Sequence, residues 1–226
     1  MNRAIRFLAL GAALAACGAM TGCFGSSSES TTANGAAAVE FPEGDPSVPA
    51  ELGGPGFTGE GWTTAKPRPL GDPAAVKGGS ILMRIGDWPD NLRIYGLGAN
   101  TMQNDIIGRL CCDTLCEFDM NTLEFVPRLA SHWKISDDNM RFEFRINSKA
   151  HWSDGRPVVA DDVIATYRLL MDETLKFPAF RAVMAKMKEP VATSKYIVSV
   201  ECREKDWQNF LYFARELLVL PAHEIG

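Results

Sequence analysis

The uneven distribution of apolar residues along the 226-residue chain limits which part of it can fold around a core. Residues 24–77 hold seven of the 13 prolines and nine of the 20 glycines, and their few apolar residues follow neither a strand nor a helix period. Such a segment cannot bury enough apolar surface to offset the entropy lost on ordering. We therefore expect a disordered Gly/Pro/Ser-rich linker over residues 23–77. The folded part is expected at 78–226, which is long enough for a real core.

The chain begins with the three parts of a secretory signal. Residues 1–6 carry two arginines, an apolar run covers residues 7–16, and small residues follow. About 20 apolar residues are needed to span a bilayer as a helix, so this run is too short for a permanent anchor. We therefore interpret residues 1–22 as a signal peptide of an exported protein.

Two cysteines near the end of this signal lie in sequences that resemble the bacterial lipobox, in which a small apolar triplet precedes a lipidated cysteine. Leu14-Ala15-Ala16 precedes Cys17, and Met20-Thr21-Gly22 precedes Cys23. Cys17 has the better triplet, whereas Cys23 gives the longer apolar core, so both positions remain open. The resemblance implies a lipid anchor in the bacterial cell envelope, on the extracytoplasmic face of the membrane. The alternative is a plain signal in which neither cysteine is lipidated.

The composition and the motifs exclude several function classes. A net charge of −5 argues against a nucleic-acid partner, and six cysteines are too few for a disulfide scaffold. The sequence contains no nucleophile elbow, zinc-protease motif, P-loop or EF-hand loop. The three histidines, His132, His151 and His223, are scattered and do not suggest converging metal ligands. We therefore expect no catalytic residue, no metal, no cofactor and no enzymatic activity.

Four cysteines lie in the folded part of the chain. Cys111, Cys112 and Cys116 form the pattern C-C-x-x-x-C, and Cys202 stands apart. The favoured interpretation is that they are small buried hydrophobic residues. A disulfide that includes Cys202 is the alternative, because disulfides persist in the oxidising cell envelope.

Strand and helix patterns alternate between residues 78 and 226. A helix is expected over 101–112, with Met102, Ile106, Ile107 and Leu110 on one face. A hairpin is expected from Trp133 to Ile146, with turn residues at 136–139. The remaining expected elements are strands at 78–86, 196–200 and 217–220, and helices at 163–171, 179–187 and 206–214. This alternation predicts a mixed sheet within an α/β architecture.

The middle of the folded part resembles a known family. Pro127–Trp133 leads into the hairpin, and the sequence H-W-S-D-G-R-P-V-V-A-D-D-V follows at His151–Val163. This order and spacing resemble the family 5 extracytoplasmic solute-binding proteins of ABC importers, the oligopeptide-, dipeptide- and nickel-binding group. Gly78–Ile81 resembles the family's opening strand, and Val219–His223 resembles a later segment. The resemblance covers nearly all of 78–226 and is specific in its middle third.

The resemblance implies a type II periplasmic-binding-protein fold, with mixed sheets and flanking helices and a ligand cleft between two lobes. Members are usually more than twice as long as this chain, so residues 78–226 are expected to hold part of the first lobe and its inserted domain, with the second lobe absent. The motif itself is structural, because Asp154-Gly155 forms a turn and Asp161 and Asp162 oppose the dipole of the following helix. It therefore identifies the family and not the ligand.

The resemblance also implies a function. The chain is expected to be a lipid-anchored substrate-binding component that binds oligopeptides and delivers them to the permease and ATPase subunits of an ABC importer. Part of the hydrogen bonding to the peptide main chain would come from the loop before the first helix, here Ala99, Asn100, Thr101 and Met102. The alternative for Asn100 or Thr101 is a helix cap. A dipeptide, nickel or another ligand stays open, and the alternative function is an envelope lipoprotein that binds other proteins through this scaffold.

Overall fold

The computed structural model describes residues 44–67, 71–72, 74–76, 78–82, 84, 86 and 88–225. The predicted signal, Cys17, Cys23 and the first part of the predicted linker lie outside the described residues. No helix in the described part of the chain is long and apolar enough to cross a membrane.

A four-stranded antiparallel sheet lies at the centre of the described chain. Its strand order is β3-β4-β6-β5, and the strands are β3 (Ala130–Ile135), β4 (Arg141–Ile146), β5 (Val191–Ser194) and β6 (Ile197–Glu201). The hairpin expected from the sequence is confirmed, because β3 and β4 pair with Trp133 opposite Phe144. Its turn places Asn139 at φ 59°, a left-handed conformation that asparagine tolerates well.

A second, two-stranded sheet pairs β1 (Cys116–Phe118) with β2 (Phe125–Pro127). Neither strand was predicted, because three residues are too few to show a strand period. All strand pairs in the described residues are antiparallel. The predicted α/β character is thus confirmed, whereas the parallel pairing expected in a mixed sheet is not found in this part of the chain.

Five α-helices accompany the sheets in the described chain. They are α1 (Met102–Cys111), α2 (Ala160–Met171), α3 (Pro178–Met184), the one-turn α4 (Gln208–Leu211) and the one-turn α5 (Ala222–Ile225). A π-helical turn at Tyr212–Glu216 continues α4, and short 3-10 turns lie at Ala50–Leu52 and Glu173–Leu175. The helices expected from the periodicity are present, with ends that differ by a few residues.

The core lies between α2 and the four-stranded sheet. Val163, Tyr167 and Leu170 of α2 are buried, and α2 contacts β5, β6, α3 and α5. Across the sheet, Phe144 packs against Phe210 and Phe213, with ring centroids 5.4 and 5.7 Å apart. The apolar periodicity of α2 therefore predicted the correct buried face.

The predicted apolar face of α1 is wrong. Met102 and Leu110 are 77% and 72% exposed, and the buried residues of this helix are Asn104 and Gly108. A Cβ added to Gly108 would lie 3.1 Å from Leu218 Cδ1, so the glycine permits a close approach between α1 and the segment at Leu218.

Two predicted strands are not formed. At 217–220 the chain is buried but has no strand partner, because Leu218 bonds to the Tyr95 hydroxyl and Leu220 N–H donates to Thr166 Oγ1. The hydroxyls of Tyr95 and Thr166 thus take the place of hydrogen bonds to a neighbouring strand. At 78–86, the described residues form no strand, and Ile81 and Leu82 are 89% and 100% exposed.

Residues 44–67, which we call the strap, were predicted to be part of a linker but lie against the sheet. Thr63 pairs with Trp133 in an antiparallel bridge, and the Arg145 guanidinium donates to Gly53 O at 3.0 Å. The glycines of the strap permit close packing, since a Cβ on Gly54 would lie 1.9 Å from Val48 O. The linker prediction therefore fails here because the strap is held by polar contacts rather than by a periodic apolar face.

The four cysteines of the folded part are free thiols. Cys116 and Cys202 are buried, as the favoured interpretation requires, but Cys111 is exposed and Cys112 is half-buried. Burial raises the pKa of the Cys112 and Cys116 thiols, so both are held in the neutral form. The alternative, a disulfide, is not formed among these four cysteines, and the interpretation as a buried residue is wrong for Cys111.

Candidate functional site

A cavity of about 150 Å³ opens at the N-terminal end of α1. Its lining comes from the loop before α1, the first turns of α1, the region of α3 and the segment before α5; it includes Tyr95, Ala99, Asn100, Thr101, Asn104, Asp105, Arg109, Phe177, Phe180, Glu216 and Leu218. Three of the four predicted ligand-binding residues therefore share one cleft. Met102 is outside this lining and is largely exposed.

The loop before α1 is held in a tight conformation. Gly96 and Gly98 have φ of 111° and 74°, values that glycine adopts without strain. Ala99 N–H donates to Gly96 O at 3.1 Å, and Thr101 N–H donates to Ala99 O at 2.8 Å. Thr101 Oγ1 accepts from the N–H at position 104 at 3.1 Å, so Thr101 is the N-cap of α1, as the alternative interpretation held.

Asn100 has a different environment from its neighbours. It is exposed at the rim of the cleft, and within the described chain its main-chain N–H and C=O make no hydrogen bond to another residue. Both groups are thus available to pair with the main chain of an extended ligand, as a strand edge would be.

The floor of the cleft is aromatic. Tyr95 packs against Phe177 and Phe180, with ring centroids 6.1 and 5.7 Å apart. Its hydroxyl donates to Leu218 O at 2.9 Å and accepts from Leu218 N–H at 2.7 Å. Burial raises the pKa of the Tyr95 hydroxyl, so this group is neutral and fixes the segment at Leu218. The sequence offered no signal for this pair, whose members are 123 positions apart.

One wall of the cleft is charged. Arg109 Nε lies 3.1 Å from Asp105 Oδ1, and its Nη2 lies 3.2 Å from Glu216 Oε2. Glu216 also binds Arg215, whose Nε lies 2.5 Å from Glu117 Oε1. The side chains alternate in sign, so the ion pairs neutralise most of the charge at this wall and orient Arg109.

The three histidines serve separate local contacts. His132 packs edge-on against Phe57 at 5.2 Å, and burial together with the nearby Arg145 charge lowers its pKa. His151 Nδ1 lies 2.9 Å from Lys149 O, and His223 Nε2 lies 2.8 Å from Asp154 Oδ2. In the part of the chain that is described, no three His, Cys, Asp or Glu residues are grouped to hold a metal ion.

The segment from β2 to α5 matches a known protein family. The middle region of the bacterial extracellular solute-binding proteins, family 5, matches residues 124–224. Over these residues, which are less than half of the chain, the sequence is similar to family 5. The match includes the hairpin, the turn at Asp154-Gly155 and α2, so the resemblance on which the sequence analysis relied is confirmed.

Curated relatives of the chain match over a wider range. A protein of Brucella melitensis named as a binding protein is 29% identical over 166 residues, which are 70% of this chain and 27% of the relative. A peptidoglycan-binding protein of Agrobacterium fabrum is 44% identical over 111 residues, 46% of this chain and 18% of the relative. The chain thus spans about a quarter of the length of the Brucella relative.

A solved structure confirms the fold of the family 5 segment. The dipeptide-binding protein of Pseudoalteromonas sp. SM9913, in complex with Met-Leu, superimposes with a TM-score of 0.52 at 25% identity. The superposition covers 60% of this chain and 30% of that protein. The predicted periplasmic-binding-protein fold is therefore confirmed for the part that is covered.

Proposed function

We propose that this chain is part of the substrate-binding component of an ABC importer and that it binds peptides at the cleft before α1. The observation that carries the proposal is the free main chain of Asn100 at the rim of this cleft, in a chain that is similar to family 5 over residues 124–224. The Met-Leu complex of the Pseudoalteromonas protein supports a peptide as the class of ligand.

The lining of the cleft fits the main chain of a peptide. The main chain of Asn100 supplies one hydrogen-bond donor and one acceptor. The main chain of an extended peptide supplies the matching acceptor and donor. The aromatic floor around Tyr95 offers apolar contact to a side chain of the ligand. The wall carries one cation, Arg109, and two carboxylates, Asp105 and Glu216, so its net charge is about −1 and the cleft does not demand a strongly charged ligand.

Substitution of Asn100 tests the main-chain pairing. Asn100→Pro removes the N–H and is expected to weaken binding of peptides about threefold to tenfold, the effect of losing one hydrogen bond of about 0.5–1.5 kcal/mol. Asn100→Ala keeps the N–H and should bind within about twofold of the wild type. Isothermal titration of the complete gene product with mixed di- to pentapeptides measures both.

Two results would contradict these statements in different ways. Equal binding by the proline and alanine variants would show that peptides do not pair with Asn100. Absence of peptide binding by the wild type would contradict the proposed function itself. Capture of another envelope protein by such a chain would then support the protein-interaction alternative.

We also propose that the protein is exported and lipid-anchored at Cys17 or Cys23, where it would deliver its ligand to the permease and ATPase subunits. The basic start, the short apolar run and the two lipobox-like triplets support this proposal. Each buried CH₂ of an acyl chain contributes about 0.8 kcal/mol, so two or more chains anchor stably.

Labelling with radioactive palmitate in a bacterial host tests the anchor. The wild type is expected to incorporate label and to fractionate with membranes. One of the variants Cys17→Ser and Cys23→Ser should lose the label and the other should keep it, which identifies the modified cysteine. An unlabelled wild-type protein in the soluble fraction would refute the anchor.

A further inference from the structure

The side chain of Asn104 has an unusual environment at the base of the cleft. Asn104 is only 3% exposed, and its Nδ2 donates to Arg93 O at 3.0 Å and to Asn91 Oδ1 at 3.3 Å. Its Oδ1 is buried and has no hydrogen-bond partner among the described residues. The same side chain lines the cleft.

A purely structural role would not require this oxygen. Asn104 and Gly108 form the buried side of α1, where an apolar side chain could pack without any polar atom to satisfy. A buried acceptor without a donor is costly, and buried polar atoms in native proteins nearly always have a partner. A buried acceptor without a partner, on a residue that lines a cleft, therefore indicates a ligand that supplies the donor.

The contacts of Asn104 define what that ligand must offer. The two hydrogens of Nδ2 are committed to Arg93 O and Asn91 Oδ1, which fixes the orientation of the carboxamide. The group left without a partner is thus an acceptor. Its natural partner is an N–H, and a peptide carries one at each residue except proline.

We propose that Asn104 Oδ1 accepts one main-chain N–H of the peptide bound in the cleft. Asn104 is then a specificity-determining residue, because the ligand position above α1 must carry an N–H and excludes proline and N-alkylated residues. This inference rests on the proposed function and adds a restriction on the ligand.

A small movement of the rim gives the ligand access to Oδ1, which is closed to solvent in this structure. One contact of the rim is weak, because Asn91 Nδ2 lies 3.5 Å from Leu97 O, the upper limit of a hydrogen bond. Local adjustments of this kind are common when a binding site is filled.

Trialanine and its two ester analogues, in which each peptide N–H in turn is replaced by oxygen, test the proposal by titration of the complete gene product. One ester is expected to bind the wild type about threefold to tenfold more weakly than trialanine, the effect of one lost hydrogen bond. In Asn104→Ala this ratio is expected to fall to about one, because the acceptor is gone. Ala-Pro-Ala or its isomer with proline at the third position should show the same dependence on Asn104.

Two further variants control for effects on folding. Asn209→Ala removes a fully buried asparagine whose Oδ1 also has no hydrogen-bond partner among the described residues. Asn209 lies outside the lining of the cleft, so this variant should keep the wild-type ester ratio. Asn104→Leu replaces the carboxamide with an apolar side chain of similar volume and should also lose discrimination if Asn104→Ala fails to fold.

The outcomes separate this inference from the proposed function. If trialanine binds and the ester ratios of the wild type and Asn104→Ala are equal, Oδ1 does not contact the ligand, and the inference is overturned while peptide binding stands. If neither trialanine nor the mixed peptides bind the wild type, the proposed function fails and this inference fails with it.

Discussion

Replacement of Asp162 by alanine is expected to lower the free energy of unfolding by about 3–5 kcal/mol. Asp162 is 3% exposed, and its carboxylate accepts three hydrogen bonds. Oδ2 accepts from Val159 N–H at 2.9 Å and from Trp152 Nε1–H at 3.1 Å, and Oδ1 accepts from Ala222 N–H at 2.8 Å. Alanine would leave all three donors without an acceptor in a largely buried place.

These bonds give Asp162 a larger role than the sequence predicted. Its position in the first turn of α2 suggested only opposition to the helix dipole, with an effect of at most about 1 kcal/mol. The structure shows that the carboxylate joins the turn at Trp152, the start of α2 and the segment at Ala222. It also bonds the N-cap residue, Val159, whose own side chain cannot cap the helix.

Urea unfolding of the wild type, Asp162→Ala and Asp161→Ala measures the difference. Asp161 is exposed in the same turn, so its replacement tests the helix dipole alone and should cost no more than about 0.5 kcal/mol. Similar small losses for both variants would show that the buried hydrogen bonds of Asp162 contribute little and that the dipole explains both positions.

Local patterns predicted the elements whose stability depends on local sequence. The β3–β4 hairpin and α2 follow from alternation, turn residues and helical spacing, and their buried faces agree with the structure. The predictions that were wrong concern segments whose structure depends on contacts between residues far apart in the sequence. Leu217–Leu220 is apolar enough for a strand, but its hydrogen bonds go to Tyr95, Asp113 and Thr166, a choice that no local pattern encodes.

The candidate site was predictable only in part for the same reason. The resemblance placed Ala99, Asn100 and Thr101 before the first helix, where the structure shows a cleft. Tyr95 and Asn104 were missed, because their roles arise from burial against Leu218 and from hydrogen bonds to Asn91 and Arg93. A buried asparagine on a short helix becomes notable only when its partners are known.

Replacement of Arg145 by methionine is expected to release the strap and to destabilise the protein by about 3 kcal/mol. Arg145 is 7% exposed, and it donates to Gly53 O at 3.0 Å and to the hydroxyls of Ser131 and Ser148 at 3.0 and 3.1 Å. Its guanidinium also lies 5.1 Å from the ring centre of Phe57. Methionine has a similar length but no donor, so buried acceptors would lose their partners.

Arg141 on the same strand provides the matched control. Its side chain is 49% exposed, with Glu143 at 3.3 Å and Ser199 Oγ at 3.0 Å. Exposed ion pairs contribute about 0–1 kcal/mol, so Arg141→Met should change the free energy of unfolding little and should leave the strap in place.

Limited digestion with chymotrypsin distinguishes the strap from the linker that the sequence predicted. Phe57 and Trp62 are cleavage sites within the strap, and both are half-buried while it is docked. We expect slow cleavage there in the wild type and in Arg141→Met, and rapid cleavage in Arg145→Met at urea concentrations where the rest of the chain stays folded. Rapid cleavage in all three proteins would mean that the strap is a flexible linker in solution. Slow cleavage in all three would mean that contacts other than those of Arg145, such as the Thr63–Trp133 bridge, are sufficient to hold it.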